Sequence, residues 1–414
     1  MAIRETYKAF RQWGIDLYIR IQKAMTKKHR YVPIVQYAEE CPDKAQILSD
    51  KIEHLQYAAS DVQSYDAYLG RTLVETGEHI KLHDGGEAHV RTVRLQHATC
   101  YAYSDIVVLS DGRCIFDIKE IEDIRPATDY RDSILWEDHD EWCMLKKVKH
   151  TVRIPKGIKI GGMFGFNFYH LLFQLLPRMM HTAEIDRSIP LLIDRKVAEI
   201  GNMQQLVDWF NAEKREIIYL DEQMEYKVEE LYVITSANLC IPNFKPGYSL
   251  YEPKSKYSME TIEMMRSVML PHRAAIKTPE KIYICRRNAT KLRSYNEEEL
   301  YALVKDLGFV DVYPETMTVG EQIALFSNAK MIISPEGAAL SNTMFIQKDC
   351  KVAVMYCMPT LTSEFAGLIK MRGAQLIEIY DVPRDMKNPY VQRNYHIDPD
   401  VFRRVIGELI VNSE

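Results

Sequence analysis

The chain lacks any uncharged apolar run long enough to cross a bilayer, so the sequence predicts no transmembrane helix. Its first residues do not form the apolar core of a secretion signal, because Arg11, Asp16 and Arg20 interrupt them. None of its eight cysteines stands in a Cys-x-x-Cys pair. Cys240 and Cys285 lie inside apolar runs and Cys350 close to one, which reads as reduced core thiols in a cytosolic protein. A disulfide frame or a zinc site does not fit that pattern. There is no basic excess either. The net charge of -5 argues against general nucleic-acid binding. Gly161, Gly162 and Gly165 do not spell a dinucleotide fingerprint, which disfavours a nicotinamide site. Asp138-His139-Asp140 has the form of a metal-binding Asp-x-Asp, but no clear strand precedes it and it reads as a solvated loop.

What is present is an ordinary globular composition. The hydrophobic share of 47% over 414 residues supplies sizeable cores, and about 150 residues per domain gives two or three domains. Residues 281–346 organise the second half. An apolar run at 282–285 leads directly to Arg286 and Arg287. A helical pattern begins at Asn296, with Glu299 at capping-box spacing. A strand pattern at 310–313, a second cap pair in Thr318 and Glu321, a helix at 323–329 and a β-branched run at 331–334 follow. A third helix is predicted over 339–346. Strands alternating with helices predict a parallel sheet, whose ligands sit beyond the carboxyl ends of the strands. Arg286, Arg287 and the turn Pro335-Glu336-Gly337 fall at such ends. Gly337 lets backbone N–H groups approach a guest, the following helix start favours an anion, and Arg286, Arg287, Lys291 and Arg293 add positive charge. A phosphate or pyrophosphate is the natural guest. Solvated loop arginines beside a plain turn are the alternative.

The second informative stretch is 161–181. Asn167, His170, Gln174, Arg178 and His181 recur every three or four residues, one narrow polar stripe on a helix. Almost everything between them is large and apolar, so the helix is predicted to be buried with its stripe lining a cleft. Pro177 is expected to kink or shorten it. A further β-α-β unit follows over 189–220, and a strand over 228–235. Upstream, 31–80 reads as mostly helical, most clearly at 45–68. Residues 89–118 alternate like strands, with a hairpin turn at Asp111-Gly112, and 123–150 is charged and irregular. Residues 1–30 form a basic amphipathic pattern that fits either an anionic membrane surface or the protein's own body. Prolines punctuate a weakly patterned connector over 245–280.

Three segments resemble glycosyltransferase family 61. They are Asn167-Phe168-Tyr169-His170 through Leu176-Pro177-Arg178, then Cys285-Arg286-Arg287 leading to Arg293, Asn296 and Glu297, then Ser334 through Asn342. The resemblance covers residues 90–390, with the segments in the family's order. Two positions depart from it: Gln174 stands where the family often has a carboxylate, and Glu336 where it often has histidine.

The resemblance implies an α/β fold of GT-B type, two Rossmann-like domains facing a cleft. On that frame 1–80 is an N-terminal helical extension, 85–270 the acceptor-side domain, 278–390 the nucleotide-sugar domain and 391–414 a C-terminal helix. It implies inverting transfer of a sugar from a nucleotide-sugar donor to a glycan or lipid-linked acceptor, in cell-surface polysaccharide biosynthesis. No metal or other cofactor is expected. His170 is the expected base, with Glu336 its rival. Arg286, Arg287, Arg293, Glu336, Gly337, Ala338, Ala339 and Asn342 are expected to hold the donor, with Asn167, Gln174 and Arg178 lining the cleft. Arg287 is either a phosphate ligand or a structural partner, and Asn296 reads as a helix cap. The competing expectation is a degenerate transferase that binds a nucleotide sugar or glycan and scaffolds an assembly.

Overall fold

Two sheets carry the chain. The computed structural model describes residues 29–35, 44–61, 66–116, 132–138, 142–240, 255–288, 293–359, 364–384 and 393–411. The basic segment 1–28, Lys291 and the pair His139-Asp140 lie outside the described residues.

The first strands in chain order are β1 (His29–Val35), β2 (Ala45–Ser60), β3 (Thr72–Thr76), β4 (Ile80–Cys100), β5 (Ile106–Val108), β6 (Cys114–Phe116) and β7 (Leu135–Asp138). They are followed by β8 (Trp142–Lys146), β9 (His150–Lys159), β10 (Leu191–Asp194), β11 (Ile217–Leu220), β12 (Met224–Ile234), β13 (Leu239–Cys240) and β14 (Ser255–Ser258). All but β3 join one mixed sheet of 13 strands. Its parallel part runs β11-β10-β9-β12, the 3-2-1-4 order of half a doubly wound domain. Beyond β12 the sheet turns antiparallel through β4 and the β5–β6 hairpin at Asp111-Gly112.

Two expectations are corrected here. The segment 45–60 is a strand, not a helix. β2 pairs antiparallel with β4 along nearly its whole length. Its aliphatic residues are spaced as on a helix, yet Leu55 is buried while Ile47 and Ile52 face solvent. Long-range pairing with β4 overrides the local pattern. The stretch 123–150 is also less irregular than its charge suggests, since β7 and β8 pair with each other and β8 with β1.

The second sheet contains β15 (Lys281–Ile284), β16 (Val310–Val312), β17 (Met331–Pro335), β18 (Lys351–Tyr356) and β19 (Gln375–Asp381). They are parallel in the order β16-β15-β17-β18-β19, the 2-1-3-4-5 winding of a flavodoxin-like sheet. β3 closes the β19 edge antiparallel. Helices Glu297–Val304 and Val319–Asn328 cross over between strands. The second starts with the full capping box of Thr318 and Glu321. The expected helix at 339–346 is instead a tighter 3₁₀ coil, Ala338–Phe345, closed by i→i+3 bonds such as Leu340 N–H to Gly337 C=O. In the connector, Ser258 caps a regular helix, Met259–Met269. The last helix, Pro399–Val411, puts Phe402, Val405 and Ile406 into the core of the second half with Tyr283 and Ile333. The seven described cysteines are buried and form no disulfide, and among the described residues no helix is long and apolar enough to cross a membrane.

Candidate functional site

The winding 2-1-3-4-5 reverses between β15 and β17, and in sheets of this kind ligands sit beyond the strand ends at that point. Arg286 follows β15, and Glu336-Gly337 follows β17. Arg286 Nη1 donates to the Glu336 carbonyl at 3.3 Å, while its backbone N–H is held by the buried Glu297 carboxylate at 3.0 Å. Gly337 is extended, so no special backbone conformation requires glycine. The reason is space: a Cβ there would stand 3.0 Å from Arg286 Nη1. Arg293 reaches the same turn and meets Glu336 Oε2 at 3.3 Å. Its backbone is left-handed (φ 57°) and its buried Nε has no hydrogen-bond acceptor. Burial, and then the neighbouring Arg293, disfavour the charge on Arg286. Two guanidiniums therefore converge on Glu336, Arg293 on its carboxylate and Arg286 on its backbone carbonyl, beside the start of the 3₁₀ coil. Ala338 and Ala339 open that coil, where N–H groups lack partners within it.

The other expected donor residues behave differently. Arg287 turns away into a structural cluster. It meets Asp311 at 2.9 Å, Glu298 at 3.2 Å and Glu297 at 3.6 Å, and its guanidinium lies over the rings of Tyr301 and Tyr313. Its charge is compensated there, which leaves the structural-partner alternative. Asn342 is fully buried and braces the coil, donating to Gln322 Oε1 at 2.8 Å and to the Ala339 carbonyl. It does not face the cleft. Asn296 makes no side-chain cap. Its amide binds the backbone of Ile397 in both directions, tying the helix start to the C-terminal segment. Sequence reasoning missed Tyr395, which stacks on Tyr295 at 5.1 Å and lies within electrostatic reach of Arg286 and Glu336. It is 100 residues away along the chain, and no local pattern marks it.

The polar stripe of the first half lies on a helix in three consecutive stretches, Phe168–His170, Leu171–Leu175 and Leu176–Met179. The middle one is π-wound, with Leu176 N–H bonded to the Leu171 carbonyl. Asn167 caps the start, its Oδ1 accepting from Tyr169 N–H at 2.9 Å. Pro177 neither breaks nor ends the helix. It cannot bond the Phe173 carbonyl, and the buried Asn238 side chain does so at 3.0 Å. His170 Nδ1 meets Gln174 Oε1 at 2.5 Å. An amide oxygen only accepts, so Nδ1 carries the proton and Nε2 keeps its lone pair. Burial lowers the His170 pKa, opposed by the Gln174 bond and by Asp105. Arg178 is buried, bonds the Gln174 carbonyl at 3.2 Å, and faces Asp105 at 3.8 Å. It is a strut beneath the stripe, not a cleft-lining group.

Below His170 lies a buried ionic floor the sequence did not announce. Asp194, at the end of β10, accepts from Tyr103 N–H at 2.9 Å and Gly162 N–H at 3.0 Å. Lys159 donates to the carbonyls of Ser104 and Gly161, each at 2.7 Å. Burial raises the Asp194 and Asp132 carboxyls to about 6. A Cβ at Gly162 would come 2.3 Å from Asp105 Oδ1, and one at Gly165 would come 2.7 Å from Asp194 Oδ2. The glycines that failed as a nucleotide fingerprint make room for these carboxylates.

The two half-sites meet. The turn Phe168–His170 lies against the coil Ala338–Phe345 of the second half. Tyr169 locks the contact: its hydroxyl bonds Ser255 and Tyr257, each at 2.6 Å, and Tyr257 donates to the Glu364 carbonyl. The helix turn that carries His170 thus touches the coil that follows the arginine-lined turn. Among the described residues no cluster of three metal-ligating side chains occurs.

Residues 168–353 match the family model of glycosyltransferase 61. This stretch contains the polar helix, Arg286, Arg293 and the Glu336-Gly337 turn. The chain also has some likeness to the bacterial iron-containing dodecameric glycosyltransferase TibC from enterotoxigenic E. coli H10407, at 9% identity over 76% of this chain and 75% of that one, with a TM-score of 0.24. A comparison with curated protein sequences gives no match. The family match supports a glycosyltransferase.

Proposed function

We propose that the protein is an inverting glycosyltransferase that moves a sugar from a nucleotide-sugar donor to a hydroxyl of a glycan or lipid-linked acceptor. The observation that carries this reading is the meeting of the His170 turn with the coil that begins at Gly337. A base and an anion site then flank one reacting centre. Inversion needs a single in-line attack, so the acceptor hydroxyl must lose its proton to a group within hydrogen-bond reach. Nε2 of His170 is that group, held in the right tautomer by Gln174. The departing nucleoside diphosphate gains negative charge as the bond breaks. Arg286, Arg293 and the N–H groups of Ala338 and Ala339 are fixed donors for it, so the step runs without a metal ion. Glu336 holds Arg293 and is available to donor hydroxyls. On this reading the protein works in the cytoplasm in cell-surface polysaccharide assembly, with the basic segment 1–30 touching an anionic membrane face.

The test is turnover of a nucleotide-sugar panel with purified protein and its His170→Ala variant. His170→Ala lowers kcat by about 10²–10⁴-fold with donor affinity little changed. Full activity in the variant moves the base elsewhere, and turnover of no donor favours a binding protein.

A further inference from the structure

Phe164 holds a conformation that a bulky residue rarely adopts, with φ at 59°. Its carbonyl accepts from Asn167 N–H at 2.7 Å, which joins it to the helix cap. On its other side Gly162 is anchored to Asp194, and Gly165 N–H bonds back to the Gly162 carbonyl at 3.1 Å. Both neighbours are fixed, so the left-handed turn is imposed on Phe164. Any glycine or asparagine would fit that backbone with less strain. The side chain gives the reason for a phenylalanine. Its ring stacks on the His170 imidazole, with centroids 5.1 Å apart and planes 24° from parallel. Tyr169 meets the same imidazole edge-on at 5.2 Å. Gln174 fixes the ring's Nδ1 end, and Asp105 is the charged group that acts on it from the segment ahead of β5. A hydrogen bond at one nitrogen still lets a ring rock about that bond; a ring stacked on its face prevents it.

We infer that Phe164 is a positioning residue, kept in a strained turn so that its ring clamps the imidazole of His170 and shields it from water. The inference rests on the reading of His170 as the base, but its physical core concerns only the state of that ring. Strain at a functional site is the expected signature of such a device.

Three variants separate strain, ring and turnover. Phe164→Ala and Phe164→Gly both remove the ring, but only glycine is at ease at φ 59°. Phe164→Gly therefore melts about 1–3 °C above Phe164→Ala, against the usual order. In both, water reaches the imidazole, the burial that lowers its pKa is relieved, and the His170 titration followed by NMR moves up toward about 6.5. The acidic limb of the pH–rate profile moves with it, and kcat falls about 10–100-fold with donor affinity retained. Phe164→Tyr keeps the stack, and its His170 titration follows the parent's. An unmoved His170 titration in Phe164→Gly overturns the clamp, as does Phe164→Ala melting at or above Phe164→Gly. If the titration shifts while turnover does not, the clamp stands and His170 loses its role as base.

Discussion

Gln174→Glu places a carboxylate where an amide oxygen now accepts from His170 Nδ1 at 2.5 Å. The substitution changes charge at nearly constant shape. A unit charge about 4 Å from the imidazolium, at an effective dielectric of about 20, contributes roughly 4 kcal/mol, a ceiling of about 3 pKa units. Desolvation of the new carboxylate takes back part of this, leaving an upward shift of about 1–2 units. The sign is definite. His170 starts below its ordinary range because burial penalises its charged form, and an opposite charge favours that form. The acidic limb of the pH–rate profile should then move to higher pH by the same amount. One unit below the new pKa only about a tenth of the enzyme has a free base, so activity there falls about tenfold. Well above the limb the more basic imidazole works at least as well as before. NMR titration of His170 supplies the parallel reading. If the NMR pKa rises and the kinetic limb stays where it was, His170 is not the base. If neither moves, the ring is not paired with residue 174.

Arg286→Ala should weaken nucleoside diphosphate binding about 10–100-fold by calorimetry with the melting point little changed, since a charge-assisted contact at a strand end is lost; equal affinity removes Arg286 from the site. Glu336→Gln should mainly weaken donor binding and lower saturated kcat only modestly; abolished kcat with normal donor affinity would exchange its role with that of His170. Activity should persist in EDTA, and a loss restored by Mn²⁺ would refute a metal-free step. Asp132 is buried, with its carboxyl raised to about 6. A raised carboxyl contributes stability that is present below its unfolded pKa and lost as pH rises through about 6. Asp132→Asn removes that loss, so its melting point should gain on the parent's between pH 5 and 7.5, by the equivalent of about 1.4 kcal/mol at most. A constant difference across that range would show Asp132 to be ionised throughout.

The second half was legible because its signals are local. The run at 282–285, the Thr318–Glu321 cap and the turn at Gly337 each sit within a few residues, and a parallel sheet follows from their alternation. Residues 45–60 were not legible as a strand, because only the distant β4 gives them a ladder. The site divides the same way. Spacing alone placed His170 opposite Gln174. It also put Arg178 in the cleft, since the stripe does not reveal Asp105, 73 residues upstream, which draws it inward. Arginines in a loop look alike in sequence. Asp311 and Glu298 take Arg287 out of the site, and only the folded chain brings them near.

β3 belongs by chain position to the first half and by hydrogen bonding to the second. Glu75 on β3 stands opposite Glu378 on β19, and both are buried. The halves are therefore interleaved, and no cut between them yields two closed bodies. A fragment starting near residue 278 would carry β19 with its outer row of N–H and C=O groups bare and Glu378 uncovered. A bare edge of that kind recruits strands from other molecules. The portable unit for expression, crystallisation or grafting is thus set by Thr72, well upstream of the first residue of the stretch that matches the family model.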